Sequence, residues 1–519
     1  MSTLLRSACL LAVLCACLGI GYAAVLLPPV LGNHMVLQQK ATVLIWGTAD
    51  PKEAVTVKFR TQEKKTTADD KGVWQVKLDP LTAGGPDDMV VTGTNTITLT
   101  DVLVGEVWVG SGQSNMAIGV NGFSKGDDVL AKMAEQTYPH LRLGSARGWV
   151  EANPKTSAGY SALLFAFGVQ LQQKLDVPVG LLFGAVGGTP SGFWLSEEAF
   201  RTDPACKACC DECQQRQPYD QAAEDAKYQA ALQKFDADKA AWDLLTDEVK
   251  KKTPQPRKPV HSVKPWESFG KIGNLYEAYI HPMIPFTMRG VLWDQGESGT
   301  SVACVDQYVM MGALIRGWRK AWGQGDFPFL SIQKPSGGGT AFDLNDPVTK
   351  AASPFAPLPA AVPGDGGYRE THIHIMSYPN TAIVISSDLG TGVHPVNKSG
   401  YANRAARVAL GMVYAQKVEY YGPVFEKKVV EAGKIRVSFT HCGQGLALPA
   451  GQEKLQGFAI AGEDKKFVWA DAVIDGNTVV LSNPAVAAPV YVRYAWSNNT
   501  AWANLFNKDG LPAFSFRTD

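Results

Sequence analysis

Hydrophobic and polar positions follow three successive rhythms along the chain. Between residues 24 and 100, short apolar runs at 43–46, 55–59, 73–78 and 95–99 lie between Asp, Gly and Pro residues. Runs of that length between turn-forming residues predict strands, and together they predict a small N-terminal β-sandwich-like module. From 101 to 417 the rhythm changes. Compact apolar runs at 102–109, 179–183, 290–293, 327–332 and 382–385 read as buried strands, whereas 161–175, 308–322 and 400–414 carry apolar residues at helical spacing. Alternating strands and helices predict an α/β core built on a doubly wound parallel sheet. From 418 to 519 short β-like runs return at 429–430, 435–437, 457–460, 467–469, 479–481 and 490–494. They predict a C-terminal β-sandwich-like module, in which Trp496, Trp502 and Phe506 read as core residues before glycan contacts.

Residues 200–268 interrupt the α/β rhythm. Asp220 to Lys252 is rich in Ala, Lys, Asp and Glu and reads as a solvated helix, with a Pro- and Lys-rich return over 254–265. The segment therefore reads as a helical insertion. It carries Cys206, Cys209, Cys210 and Cys213, whose spacing suits either a closed four-thiolate zinc site or disulfides.

One strand end stands out. The run 102–109 leads into Gly110 and Gly112, which allow a sharp turn, and Ser114 follows at once. A serine lifted out of a sheet at that edge sits in the crevice where open α/β sheets hold ligands. A nucleophile needs such a place, rigid and close to backbone N–H donors.

Composition narrows the function. The chain has 519 residues, with 49 Lys+Arg against 49 Asp+Glu, and no basic patch interleaved with aromatics, so no nucleic-acid partner is expected. Arg6, an apolar run over 8–20 too short to span a bilayer, and Gly21-Tyr22-Ala23 form a signal peptide cut after Ala23. No later run is long enough for a transmembrane helix. A secreted or periplasmic location follows, and the six cysteines beyond residue 23 suit that compartment. His372 and His374 alternate on a possible strand, but no nearby carboxylate or cysteine completes a metal site; no metal or cofactor is expected.

Gly112-Gln113-Ser114-Asn115-Met116 resembles the nucleophile block of SGNH-type esterases, in the sialate O-acetylesterase and carbohydrate acetylesterase branch. Three further blocks match that branch in order: Gly187-Gly188-Thr189-Pro190, Trp293-Asp294-Gln295-Gly296-Glu297, and Ser387-Asp388-Leu389-Gly390 followed by His394-Pro395. The resemblance covers nearly the whole mature chain. It implies an SGNH, flavodoxin-like three-layer hydrolase domain over 101–417 and an acetylated carbohydrate as substrate. Sialic acid esters lead; acetylated xylan or another polysaccharide is the alternative, and a non-catalytic glycan-binding protein is the rival from another class. Ser114 is then the nucleophile and His394 the general base. The Ser114 and Gly188 amides, with the Gln295 side chain as a third donor, would face the oxyanion, while Glu297 would orient neighbouring groups or hold its loop. One departure matters. The broad pattern has Asp three residues before the histidine, where this chain has Thr391; the nearest acid is Asp388. Either Asp388 reaches round the loop, or a backbone carbonyl orients His394 in a Ser–His dyad.

Overall fold

The computed structural model describes residues 24–216 and 219–519; the signal peptide read at 1–23 lies outside them. The spine of the molecule is the strand Thr96–Gly112, which is buried at every position from 102 to its end. A strand covered on both faces shows a continuous apolar run instead of alternation. Across the core the strands lie in the order Thr381–Val384, Phe329–Ile332, Gly290–Asp294, Thr96–Gly112, Val179–Ala185, Tyr138–Ser145 and Gly148–Ala152. Neighbours are parallel throughout, except for the antiparallel hairpin at the last edge. The chain fills one side of the spine first and the other afterwards. The C-terminal ends of the spine and its two neighbours therefore flank the crevice where strand order reverses.

The sheet is mixed, which corrects the expectation of a parallel one. The first half of the spine pairs antiparallel with Gly84–Thr92, and its middle pairs parallel with Val36–Gln38. Four N-terminal strands and the core thus share one sheet of 11 strands, while Val43–Thr48 pairs apart with Val73–Leu78. The chain bends at Asp101, a non-glycine residue at φ 57°, whose carboxylate is held by Arg142 at 2.9 Å and His34 at 2.6 Å. The patterning changes at this point because only the second half of the spine is covered on both faces. Strands Tyr138–Ser145 and Gly148–Ala152 have no apolar run to announce them; the first carries the buried, Asp101-paired Arg142.

Helices cover both faces of the parallel strands. Ala162–Leu175, capped by Ser161, sets Phe167 edge-on to Trp108 with centroids 5.2 Å apart. Gln307–Trp322, capped by Asp306, sets Trp318 edge-on to Trp293 on the opposite face at 6.0 Å. Lys398–Val408, capped by Asn397, packs beside Ala162–Leu175. At the C-terminus, two four-stranded antiparallel sheets enclose a core that includes Val437, Phe458, Ile460 and Leu481. Trp496, Trp502 and Phe506 are buried there, so they offer no platform to a glycan.

The helices Pro204–Arg216 and Gln221–Asp243 lie within 200–268, and the second buries no residue. Cys213 is bonded to Cys304, while Cys206, Cys209, Cys210 and Cys442 are free. The disulfide reading holds for Cys213 alone, whose partner lies outside the cluster. All four lie on the helix Pro204–Arg216, and the bridge removes Cys213 from any four-thiolate zinc set. Among the described residues no group of three or more His, Cys, Asp or Glu is placed to hold a metal. The bridge closes a span of 91 positions. Cys213→Ser is therefore expected to lower stability by about 2–4 kcal/mol, read as a shift of the urea midpoint that a reductant reproduces in the parent protein. Equal midpoints for the oxidised and reduced parent would contradict this.

Candidate active site

The turn after the spine is set by Gly112, at φ 134°, where a Cβ would lie 2.1 Å from the Asp294 carbonyl oxygen. Gln113 N–H then donates to that oxygen at 2.9 Å, so the turn is fastened to the neighbouring strand. Ser114 opens the helical turn Ser114–Ala117. Its Oγ lies 2.8 Å from His394 Nε2, the hydroxyl donating when Nδ1 carries the ring proton. The two residues are 280 positions apart in sequence. On the other side, a Cβ on Gly187 would lie 3.5 Å from Ser114 Cβ, so the Gly187-Gly188 turn faces the serine. Gly188, at φ 71°, has no atom within 4 Å of its would-be Cβ and borders open space. Among the described residues, the Ser114 and Gly188 amides donate to no protein acceptor. An oxyanion hole needs such uncommitted N–H groups near the nucleophile.

His394 comes from farther away. Its loop leaves the edge strand Thr381–Val384 and crosses back over the ends of two strands to reach Ser114. The backbone of 337–339 supports this crossing: Gly337 N–H donates to Ser386 O at 3.0 Å and Gly339 N–H to Ser387 O at 2.7 Å. Gly338 in turn accepts from Thr500 N–H at 3.1 Å, so the C-terminal module braces the histidine loop. His394 itself is exposed, between exposed Val393 and buried Pro395.

Asp388 does not complete a triad. Its Oδ2 accepts from Arg404 Nη2 at 2.8 Å, and among the described residues no hydrogen bond joins it to His394. The carboxylate is fully buried behind the loop, where it neutralises a guanidinium that also donates to Ile385 O.

Gln295 also departs from its expected role. It is fully buried; its amide donates to Gly299 O at 2.9 Å and Thr189 O at 3.3 Å, and its carbonyl accepts from Gln307 at 2.8 Å. With both hydrogens committed, this amide fastens the Gly188 loop to the 296–300 loop and is not free for a developing oxyanion. Glu297 accepts from Asn115 Nδ2 at 2.9 Å and pairs with Lys334 at 2.8 Å, so it holds its neighbours in place.

Beneath the serine lies a charged cluster that sequence reasoning overlooked. Lys334 Nζ is 2.6 Å from Asp294 Oδ1, both fully buried, and Lys398 Nζ donates to Asn115 Oδ1 at 2.8 Å. Burial raises the Asp294 carboxyl above its ordinary value, and Lys334 opposes that shift. Burial acts downward on Lys334, but Asp294 and Glu297 outweigh it and hold the ammonium above its ordinary value. Burial brings Lys398 down to about 7; Asp294 and Glu297 work against the shift and Lys334 with it. The signal for these residues is slight: a lysine just past the apolar run 327–332, and another four positions beyond His394. His372 lies on the helix Gly367–His374, not on a strand. Burial, then Lys334 and Arg369, push its imidazole down to about 3, so it is neutral, while His374 is exposed.

The chain is 27% identical over 525 residues to the sialate O-acetylesterase of Homo sapiens, covering 91% of this chain and 87% of that protein. It is 26% identical over 524 residues to the sialate O-acetylesterase of Mus musculus, covering 91% and 88%. Its structure is similar to the crystal structure of a carbohydrate acetylesterase from Xanthomonas citri, with a TM-score of 0.71, 27% identity, and coverage of 95% of this chain and 99% of that one. No protein-family model matches the chain.

Proposed function

We propose that this chain, a sialate O-acetylesterase-like carboxylic ester hydrolase, removes O-acetyl groups from carbohydrates through an acetyl-enzyme on Ser114. The observation that carries the reading is the 2.8 Å contact between Ser114 Oγ and His394 Nε2 beside the free Ser114 and Gly188 amides. His394 Nε2 takes the hydroxyl proton as Oγ bonds to the acetyl carbonyl carbon. The carbonyl oxygen gains negative charge facing the two N–H groups. The C–O bond to the sugar then breaks, and the imidazolium returns its proton to the departing sugar oxygen. Water repeats the sequence on the acetyl ester, releasing acetate and restoring the serine.

The core follows the doubly wound SGNH arrangement in this reading, supported by helices on both faces of the parallel strands. Export fits the signal-like residues 1–23 and the Cys213–Cys304 bridge, which belongs to an oxidising compartment. Among the described residues no helix is long and apolar enough to cross a membrane. O-acetylated sialic acid is the leading substrate. The near full-length likeness to a carbohydrate acetylesterase supports a second reading, an acetylated carbohydrate other than sialic acid.

Acetate release from a panel of acetylated glycans, before and after labelling with a serine-directed phosphonate, tests the function. The expected result is one label per chain on the Ser114 peptide and loss of acetate release in proportion to labelling. Full activity in a fully labelled sample would end the proposal.

A further inference from the structure

We propose that Asn115 and Lys398 form a clamp on the backbone that holds His394 in line with Ser114, in place of the carboxylate that orients the ring in a triad. The inference rests on the Ser114–His394 reading above. Asn115 Nδ2 donates to Val393 O at 2.9 Å, and Lys398 Nζ donates to Pro395 O at 2.7 Å. The carbonyls on either side of His394 are thus both held. The two holders also touch each other, through Lys398 Nζ to Asn115 Oδ1 at 2.8 Å. Asn115 adjoins Ser114 on one helical turn, so the clamp ties the base loop directly to the nucleophile turn.

The chemistry of Lys398 suits this role. An ammonium has three donors. Two meet Pro395 O and Asn115 Oδ1, which leaves the third for Phe123, whose ring centroid is 4.3 Å from Nζ. The side chain is 1% exposed. Burying a charge so deeply is costly unless partners compensate it; Asp294 and Glu297 offset only part of that cost. An apolar residue would fill the space without that cost, so the charge is kept for what it holds. His394 is exposed and crosses far from its own strand, so without anchors its ring would scatter. A displacement of about 1 Å at a reacting group lowers rates by roughly 100-fold. Both are positioning residues, since neither reaches the scissile bond.

The groups facing Lys398 are Asp294, Lys334, Glu297, Asp127 and Tyr401. With burial bringing Lys398 down to about 7, the charged clamp is complete below that pH and weakens as pH rises through it. Arginine stays protonated throughout the assay range. Kinetics of p-nitrophenyl acetate hydrolysis for Ser114→Ala, Lys398→Met, Lys398→Arg and Asn115→Ala across pH 6–9 test the clamp. Lys398→Met and Asn115→Ala are expected to lower kcat by roughly 100-fold with KM within about two-fold. The decline of kcat above about pH 7 should vanish in Lys398→Met and move upward in Lys398→Arg. Asn115→Ala removes no charge and keeps the test open if Lys398→Met fails to fold. Folded Lys398→Met or Asn115→Ala with parental kcat, beside an inactive Ser114→Ala, would overturn the clamp alone. A Ser114→Ala variant as fast as the parent would overturn the Ser–His reading and the clamp with it.

Discussion

Ser114→Ala is expected to reduce acetate release by about 10⁴-fold or more, with folding unaffected. Removing the nucleophile of a serine hydrolase eliminates the covalent path and leaves only the small acceleration that oxyanion donors and binding provide for direct attack by water. The side chain is partly exposed, and its hydroxyl touches only His394 among the described side chains. The free energy of unfolding should therefore stay within about 0.5 kcal/mol of the parent. His394→Ala should lose activity of the same order, because a serine hydroxyl at neutral pH is a poor nucleophile without a base. The double variant should be no slower than either single one, since residues acting as a unit do not add. Steady-state acetate release with thermal melts checks all three. A double variant slower by the product of the single effects would separate the two residues chemically.

Asp388→Ala should give the opposite profile, a large loss of stability with the chemistry largely kept. The carboxylate and Arg404 are both buried, 2.8 Å apart. Removing one partner leaves a guanidinium without compensation in the interior, which costs about 3–5 kcal/mol. The folded fraction should keep kcat within about ten-fold of the parent, since no hydrogen bond connects Asp388 to His394 among the described residues. Asp388→Asn should cost far less activity than His394→Ala for the same reason. Urea unfolding and active-site titration separate folded fraction from turnover. A stable Asp388→Ala protein with turnover lowered about 1,000-fold would restore Asp388 to a triad.

Much of the scaffold is legible in the sequence because burial writes itself into patterning. The runs 102–109, 179–183, 290–293 and 382–385 fall within a few residues of observed core strands, as continuous apolar segments must when both faces are covered. Helices at 161–175 and 308–322 announce themselves by the spacing of their apolar residues. Tyr138–Ser145 does not, because its interior is partly ionic: Arg142 is buried through its pairing with Asp101. The site is legible at Ser114, where an apolar run ends in glycines, while Gly188 and His394 are singled out only through the resemblance of their blocks. It is illegible where a polar side chain has two possible directions. Gln295 and Asp388 stand in the right blocks, yet each turns inward to Gln307 and Arg404.

The sequence by itself determined most core strands and helices and the turn that exposes Ser114, since these follow from local conformational preference and from apolar runs that must be buried; His394 stands out only through the resemblance of its block. Only the tertiary structure decided which polar groups face one another. Hydrogen bonds and ion pairs among Asn115, Asp294, Glu297, Lys334 and Lys398 join segments up to 283 positions apart. No periodicity records such a partnership, because a directional contact depends on where two separate backbones come to rest.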